Sequence, residues 1–90
     1  MNITAEQLHA QLAAQLTPFE LQVFDESAAH AGHAGADGSG RGTHFRVRIG
    51  AGVFQGLSRL AKHRLVYDAL HQFTDRGMHA LAIEIVDRSS

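Results

Sequence analysis

Two hydrophobic periods, one helical and one of strand type, alternate along the chain and divide it into five elements. Ala5, Leu8, Leu12 and Leu16 recur at three- and four-residue spacing and predict a short amphipathic helix. Its start is marked by Thr4-Ala5-Glu6-Gln7, a capping box in which the Thr4 hydroxyl takes the Gln7 amide proton and the Gln7 side chain reaches back to Thr4. Ile3 and Leu8 flank it as a hydrophobic staple. Pro18 biases Thr17 away from helical geometry and closes the element. From Phe19 the period becomes two: Phe19, Leu21 and Val23 alternate with Glu20, Gln22 and Phe24, a strand with one buried face that ends at Asp25-Glu26-Ser27. Phe45, Val47 and Ile49 alternate with His44, Arg46 and Arg48 in a second strand, stopped by Gly50 and Gly52. After Gly56 the helical period returns and runs to about Asp75, with Ser58 as cap. His63, Val66, Tyr67, Leu70 and Phe73 share one stripe, while Arg64, Asp68, His71 and Asp75 face water. Gly77 stops this helix, and His79, Leu81, Ile83 and Ile85 form the apolar parity of a third strand.

The order helix, strand, strand, helix, strand predicts an α/β (α+β) fold, a three-stranded mixed sheet with its helices on one face. Strands one and two pair antiparallel across the segment at about 28–43. That segment mixes glycine with alanine, histidine and serine, a composition whose ordering costs much entropy for few contacts, and it predicts a flexible loop. A helix joining strand two to strand three makes a right-handed crossover, so strand three runs parallel to strand two. This topology sends the end of strand one and the starts of strands two and three to the same end of the sheet. His30 and His33 in the loop and His79 at the root of strand three can therefore converge.

Ninety residues make a single domain, 1–90, with a thin two-layer core. Eight Lys plus Arg against nine Asp plus Glu leave a formal net charge of -1, so bulk charge favours neither nucleic acid nor an acidic membrane, and any basic surface is local. No apolar run approaches the ~20 residues that span a bilayer. The absence of cysteine removes disulfides, and no basic stretch followed by an apolar one opens the sequence, so the chain reads as cytoplasmic. The same absence narrows the chemistry: with seven histidines and no thiol, a bound metal uses imidazole or borrows sulfur from a partner.

Two candidate sites follow. His30, His33 and His79 are able to give two imidazoles to one metal, with loop glycines allowing closure. The plain counterpart is a polar loop histidine beside a hydrogen-bonded strand histidine, since His30-x-x-His33 lacks the further ligands of a structural zinc site. Arg59, Lys62 and His63 form a compact basic edge at a helix N-terminus, suited to a phosphate, a glutathione carboxylate or an acidic partner, or else simply a solvated basic turn. Arg46 and Arg48 on the open strand face, with Arg41 nearby, are placed for phosphates, but Phe24 alone does not make a stacking platform. The formal glycine-x-x-glycine match Gly35-Ala36-Asp37-Gly38 lies between strands rather than helices and carries an acid, so it is no nucleotide clamp. Asp25, Ser27 and a histidine lack a nucleophile elbow or oxyanion-hole signature, and no enzyme activity is expected.

Several ordered blocks together resemble the BolA family: Asp25-Glu26-Ser27 followed by His30-Ala31-Gly32-His33, then Thr43-His44-Phe45-Arg46-Val47, Phe54-Gln55-Gly56-Leu57-Ser58, His63-Arg64-Leu65-Val66-Tyr67 and His79-Ala80-Leu81-Ala82-Ile83. The resemblance covers nearly the whole chain. It implies a fold similar to a class II K-homology domain without the clamp loop, in agreement with the element order. It further implies pairing with a monothiol glutaredoxin and a shared [2Fe-2S] cluster, for which the glutaredoxin supplies a cysteine and glutathione a thiolate; the isolated chain is expected to hold none. By position the resemblance makes His79 one ligand and His30 the other, in a histidine-loop type, with His33 as the alternative loop ligand. It also implies a role in iron-sulfur and iron homeostasis. Relatives described as DNA-binding transcriptional regulators use the helix that here carries Arg59, Lys62, His63 and Arg64.

Overall fold

The computed structural model describes residues 3–27, 44–78 and 80–87. The loop expected at about 28–43, with His30, His33, Arg41 and the Gly35–Gly38 match, lies outside the described residues, as does His79.

Helix α1 (Ala5–Leu16) opens on the expected capping box. Thr4 Oγ1 accepts the Gln7 N–H at 3.1 Å, and the Thr4 N–H donates to Gln7 Oε1 at 3.0 Å. Ile3 and Leu8 are both buried, as a staple requires. Thr17 ends the helix in the left-handed region, φ 47° and ψ 57°, because the ring of Pro18 disfavours the right-handed helical region at the preceding residue.

Strands β1 (Glu20–Asp25), β2 (His44–Gly50) and β3 (Ala80–Ile85) form one sheet in that spatial order, with β1 antiparallel and β3 parallel to β2. The registers Val23↔Val47 and Val47↔Ile83 align the apolar parities of all three strands. Against that face pack Leu8, Leu12 and Leu16 of α1 and Val66, Leu70 and Phe73 of α2 (Arg59–Thr74). Both helices therefore lie on one side. The other side carries Gln22, Phe24, Arg46, Arg48, Ala82 and Glu84. There Arg48 sits between acids on both neighbouring strands, with Nε 2.9 Å from Glu20 Oε2 and a terminal nitrogen 4.0 Å from Glu84 Oε1. The Nε–Glu20 approach is an ion pair without the alignment of a directed hydrogen bond.

Two expectations are refined, and one further turn is found. Tyr67 does not join the buried stripe of α2: it is 46% exposed, and its hydroxyl donates to the Leu81 carbonyl at 3.1 Å, so the ring lies along the rim of the sheet. Phe19 precedes β1 rather than filling its inner face; its ring lies 2.7 Å from where a Cβ on Gly50 would sit. A short 3-10 turn, Gly52–Phe54, intervenes between β2 and α2 and buries Phe54. At the far end of α2, Gly77 adopts φ 114°, which lets the Met78 N–H return to the Phe73 carbonyl at 3.1 Å and turns Met78 into the core.

Candidate functional site

One end of the sheet gathers the chain ends from which all three candidate ligands depart. Asp25 of β1 is paired with Phe45, and His44 of β2 with Ala80 of β3. The chain leaves this end after Ser27, re-enters it at His44, and passes from Met78 to Ala80 beside it. Strand polarity is the cause: an antiparallel β1 finishes where β2 starts, and a parallel β3 starts there too.

The two stems of the loop are tied together by Asp25-Glu26-Ser27. Ser27 is 1% exposed, and its hydroxyl both accepts the His44 N–H at 2.9 Å and donates to the His44 carbonyl at 3.3 Å. The Ser27 N–H donates to Asp25 Oδ1 at 2.9 Å, and the Glu26 N–H donates to the His44 carbonyl at 2.8 Å. Arg46 adds a fork, Nε and a terminal nitrogen reaching Glu26 Oε2 at 3.1 and 2.9 Å. Ser27 is thus a structural bridge between the two stems. Ser27→Ala removes both hydroxyl bonds to His44. Losing the two bonds is expected to cost about 1–3 kcal/mol. A thermal melt should show a fall of roughly 5–25 °C for a domain of this size; an unchanged melt would mean that the bridge does not hold the stems.

His30 follows Ser27 by three residues and His33 by six, while His79 directly precedes Ala80. At ~3.5 Å of reach per residue, chain length alone limits residue 30 to about 10 Å from Ser27 and residue 33 to about 20 Å. The three histidines themselves lie outside the described residues. Among the described residues no group of three histidines, cysteines or acids is placed to hold a metal ion.

The basic edge lies elsewhere. The Ser58 hydroxyl caps α2 by accepting the Ala61 N–H at 3.1 Å, and the helix then runs antiparallel to β3, so its first turns meet the far end of that strand. Arg59, Lys62 and His63 form one wall of a groove of about 420 Å³; Ile83, Glu84, Ile85 and Asp87 form the other. The structure brings together these three basic residues but not Arg64, which is exposed and outside the groove. Lys62 Nζ is 3.9 Å from Asp87 Oδ1. Glu84 and Asp87 were not anticipated as neighbours of the basic residues. The crossover carried the signal, since a helix returning over its own strand sets its first turn beside that strand's last residues.

The same fold recurs among known proteins. The family model described as BolA-like protein matches residues 12–89. A protein from the cobS 5′ region of a Sinorhizobium species is 44% identical over 85 residues, covering 93% of this chain and 89% of that protein. Chloroplastic BOLA1 of Arabidopsis thaliana is 42% identical over 80 residues, 88% of this chain and 50% of that protein. The chain thus spans half the length of the latter, and 21% of the length of the Arabidopsis SufE-like protein 1, to which it is 44% identical. Among solved structures, BolA1 from Arabidopsis superposes with a TM-score of 0.81 at 39% identity, and the BolA domain of SufE1 with 0.82 at 37%, each covering 97% of this chain and 94% of the other. With a family match over most of its length, relatives above 40% identity and a shared architecture, the chain belongs to the BolA family.

Proposed function

We propose that this chain is a non-enzymatic adaptor that binds a monothiol glutaredoxin and co-ligates a shared [2Fe-2S] cluster through His79 and His30, with His33 as the alternative loop ligand, in cytoplasmic iron-sulfur and iron homeostasis. The observation that supports it is the single sheet end from which the covalent connections to all three histidines depart. The donor set fits. A chain without cysteine contributes nitrogen, and the thiolates come from the glutaredoxin cysteine and glutathione. The Ser27 bridge keeps the loop stem anchored beside β3, and the shorter tether from Ser27 favours His30 over His33. A cluster held partly by imidazole carries less negative charge than an all-thiolate one and has a higher reduction potential, as in Rieske centres.

Titrating cluster-loaded glutaredoxin with this protein tests the reading. The expected result is a changed visible spectrum with a heterodimer on a sizing column, and imidazole NMR shifts on adding the partner. An unchanged spectrum with no heterodimer removes the proposal.

DNA binding through Arg59, Lys62, His63 and Arg64 is the second reading, supported by the three basic side chains sharing one groove wall. Arg64 stands outside that wall. Binding to duplex DNA that falls steeply with salt is its signature; salt-independent or undetectable binding excludes it.

A further inference from the structure

We infer that the groove between α2 and β3 receives an extended acidic segment of a partner protein, added to the sheet as a fourth strand. This goes beyond the adaptor reading and uses the other end of β3 from the histidine site. β3 is an edge strand, since the sheet ends with it. The Val86 N–H donates to the Ile49 carbonyl at 2.9 Å, which fixes the alternation of the parallel ladder: the backbone groups of residues 82, 84 and 86 point to β2, and those of Leu81, Ile83 and Ile85 point outward. The outward Leu81 carbonyl is taken by the Tyr67 hydroxyl. Beyond Tyr67, the N–H and C=O groups of Ile83 and Ile85 open into the groove with no protein partner among the described residues. Such a row of unpaired groups is a template for strand addition.

Charge selects the occupant. Arg59 has no ion-pair partner among the described residues, and Lys62 has only the distant, highly exposed Asp87. The Glu84 carboxylate is drawn across the sheet toward Arg48. The wall facing the open edge is therefore left with unmatched positive charge, while the Ile83 and Ile85 side chains supply an apolar floor. An added strand would direct alternate side chains toward the helix, where carboxylates meet Arg59 and Lys62. A nucleic acid would gain the charge but leave the strand amides unused. A second copy of this chain would bring its own Arg59 and Lys62 against these.

The test is an amide NMR titration of the full chain, without glutaredoxin or cluster, using a short capped peptide of alternating valine and glutamate. The expected result is saturable shifts centred on Ile83 and Ile85, with slower hydrogen exchange at those amides. Affinity should fall about tenfold in Arg59→Ala, as for loss of one charge-assisted hydrogen bond, and binding should vanish when the peptide's edge-facing amides are N-methylated. Four outcomes overturn the proposal: no saturable shift at Ile83 and Ile85, equal binding of the matching valine-lysine peptide, indifference to N-methylation, or concentration-dependent shifts at these amides without peptide, which would mark self-association. Because the cluster is absent, failure here leaves the adaptor reading standing, and failure of the glutaredoxin titration leaves this one standing.

Discussion

His79→Ala is expected to release the cluster from the heterocomplex with glutaredoxin while leaving the thermal melt of the isolated chain near that of the parent. The argument rests on what brackets the position. Met78 is buried in the core and Ala80 is paired with His44, so the chain on both sides of residue 79 is held by packing and by the ladder. A ligand between two fixed neighbours needs little ordering when it binds, whereas one on a loop loses conformational freedom. Losing it should accelerate cluster loss by more than the roughly 10–100-fold typical of removing an outer-shell partner of a metal ligand. His30→Ala should have a smaller effect, because His33 is available on the same tether, and the double loop variant should approach His79→Ala. The readout is decay of the visible cluster bands after mixing with a chelator. Retention by His79→Ala equal to that of the parent would show that the nitrogen ligand has been misassigned.

Gly50→Ala is expected to be the most damaging small substitution in the described sheet. An added Cβ would lie 2.6 Å from the Val86 carbonyl oxygen and 2.7 Å from two atoms of the Phe19 ring. The ring can move, but the carbonyl belongs to a backbone held by the bond from the Val86 N–H to Ile49, and the Phe19 N–H is itself bonded to the Gly50 carbonyl at 2.9 Å. Neither backbone can withdraw without breaking a ladder contact. Overpacking of this kind costs about 1–3 kcal/mol or somewhat more, which lowers the melting temperature by roughly 5–25 °C in a chain of this length. Gly52→Ala is the matched control, since nothing lies within 4 Å of its added Cβ. Similar melts for the two variants would refute the close approach at Gly50.

The elements and their pairing were legible because burial alternates with the periods the two structures demand. Leu8, Leu12 and Leu16 recur at helical spacing, and Phe45, Val47 and Ile49 alternate with charged residues, so the inner faces could be read directly. Caps were legible too: Thr4 with Gln7, and Ser58, are local chemistry confined to a few consecutive residues. Tyr67 was misplaced because its ring is apolar by composition while its hydroxyl requires a partner, and a rim carbonyl is where both needs are met. Phe19 was misplaced because the absence of a side chain at Gly50, distant in sequence, creates the space its ring occupies. Of the candidate sites, the arrival of the three chain ends at one end of the sheet followed from topology. The pairing of Lys62 with Asp87 depends on how far α2 runs back over β3, which no local pattern encodes.

The bridge made by Ser27 has an engineering consequence. Because the hydroxyl locks the two stems at the neck, a flexible insert placed between them would enter stability only logarithmically with its length, about 0.6 kcal/mol for each doubling. The stem bonds of Ser27, His44 and Arg46 do not use the side chain at position 30, so a thiol can be placed there without removing them. On the proposed reading, such a change would swap the donor while the bonds that tie the stems stay as they are.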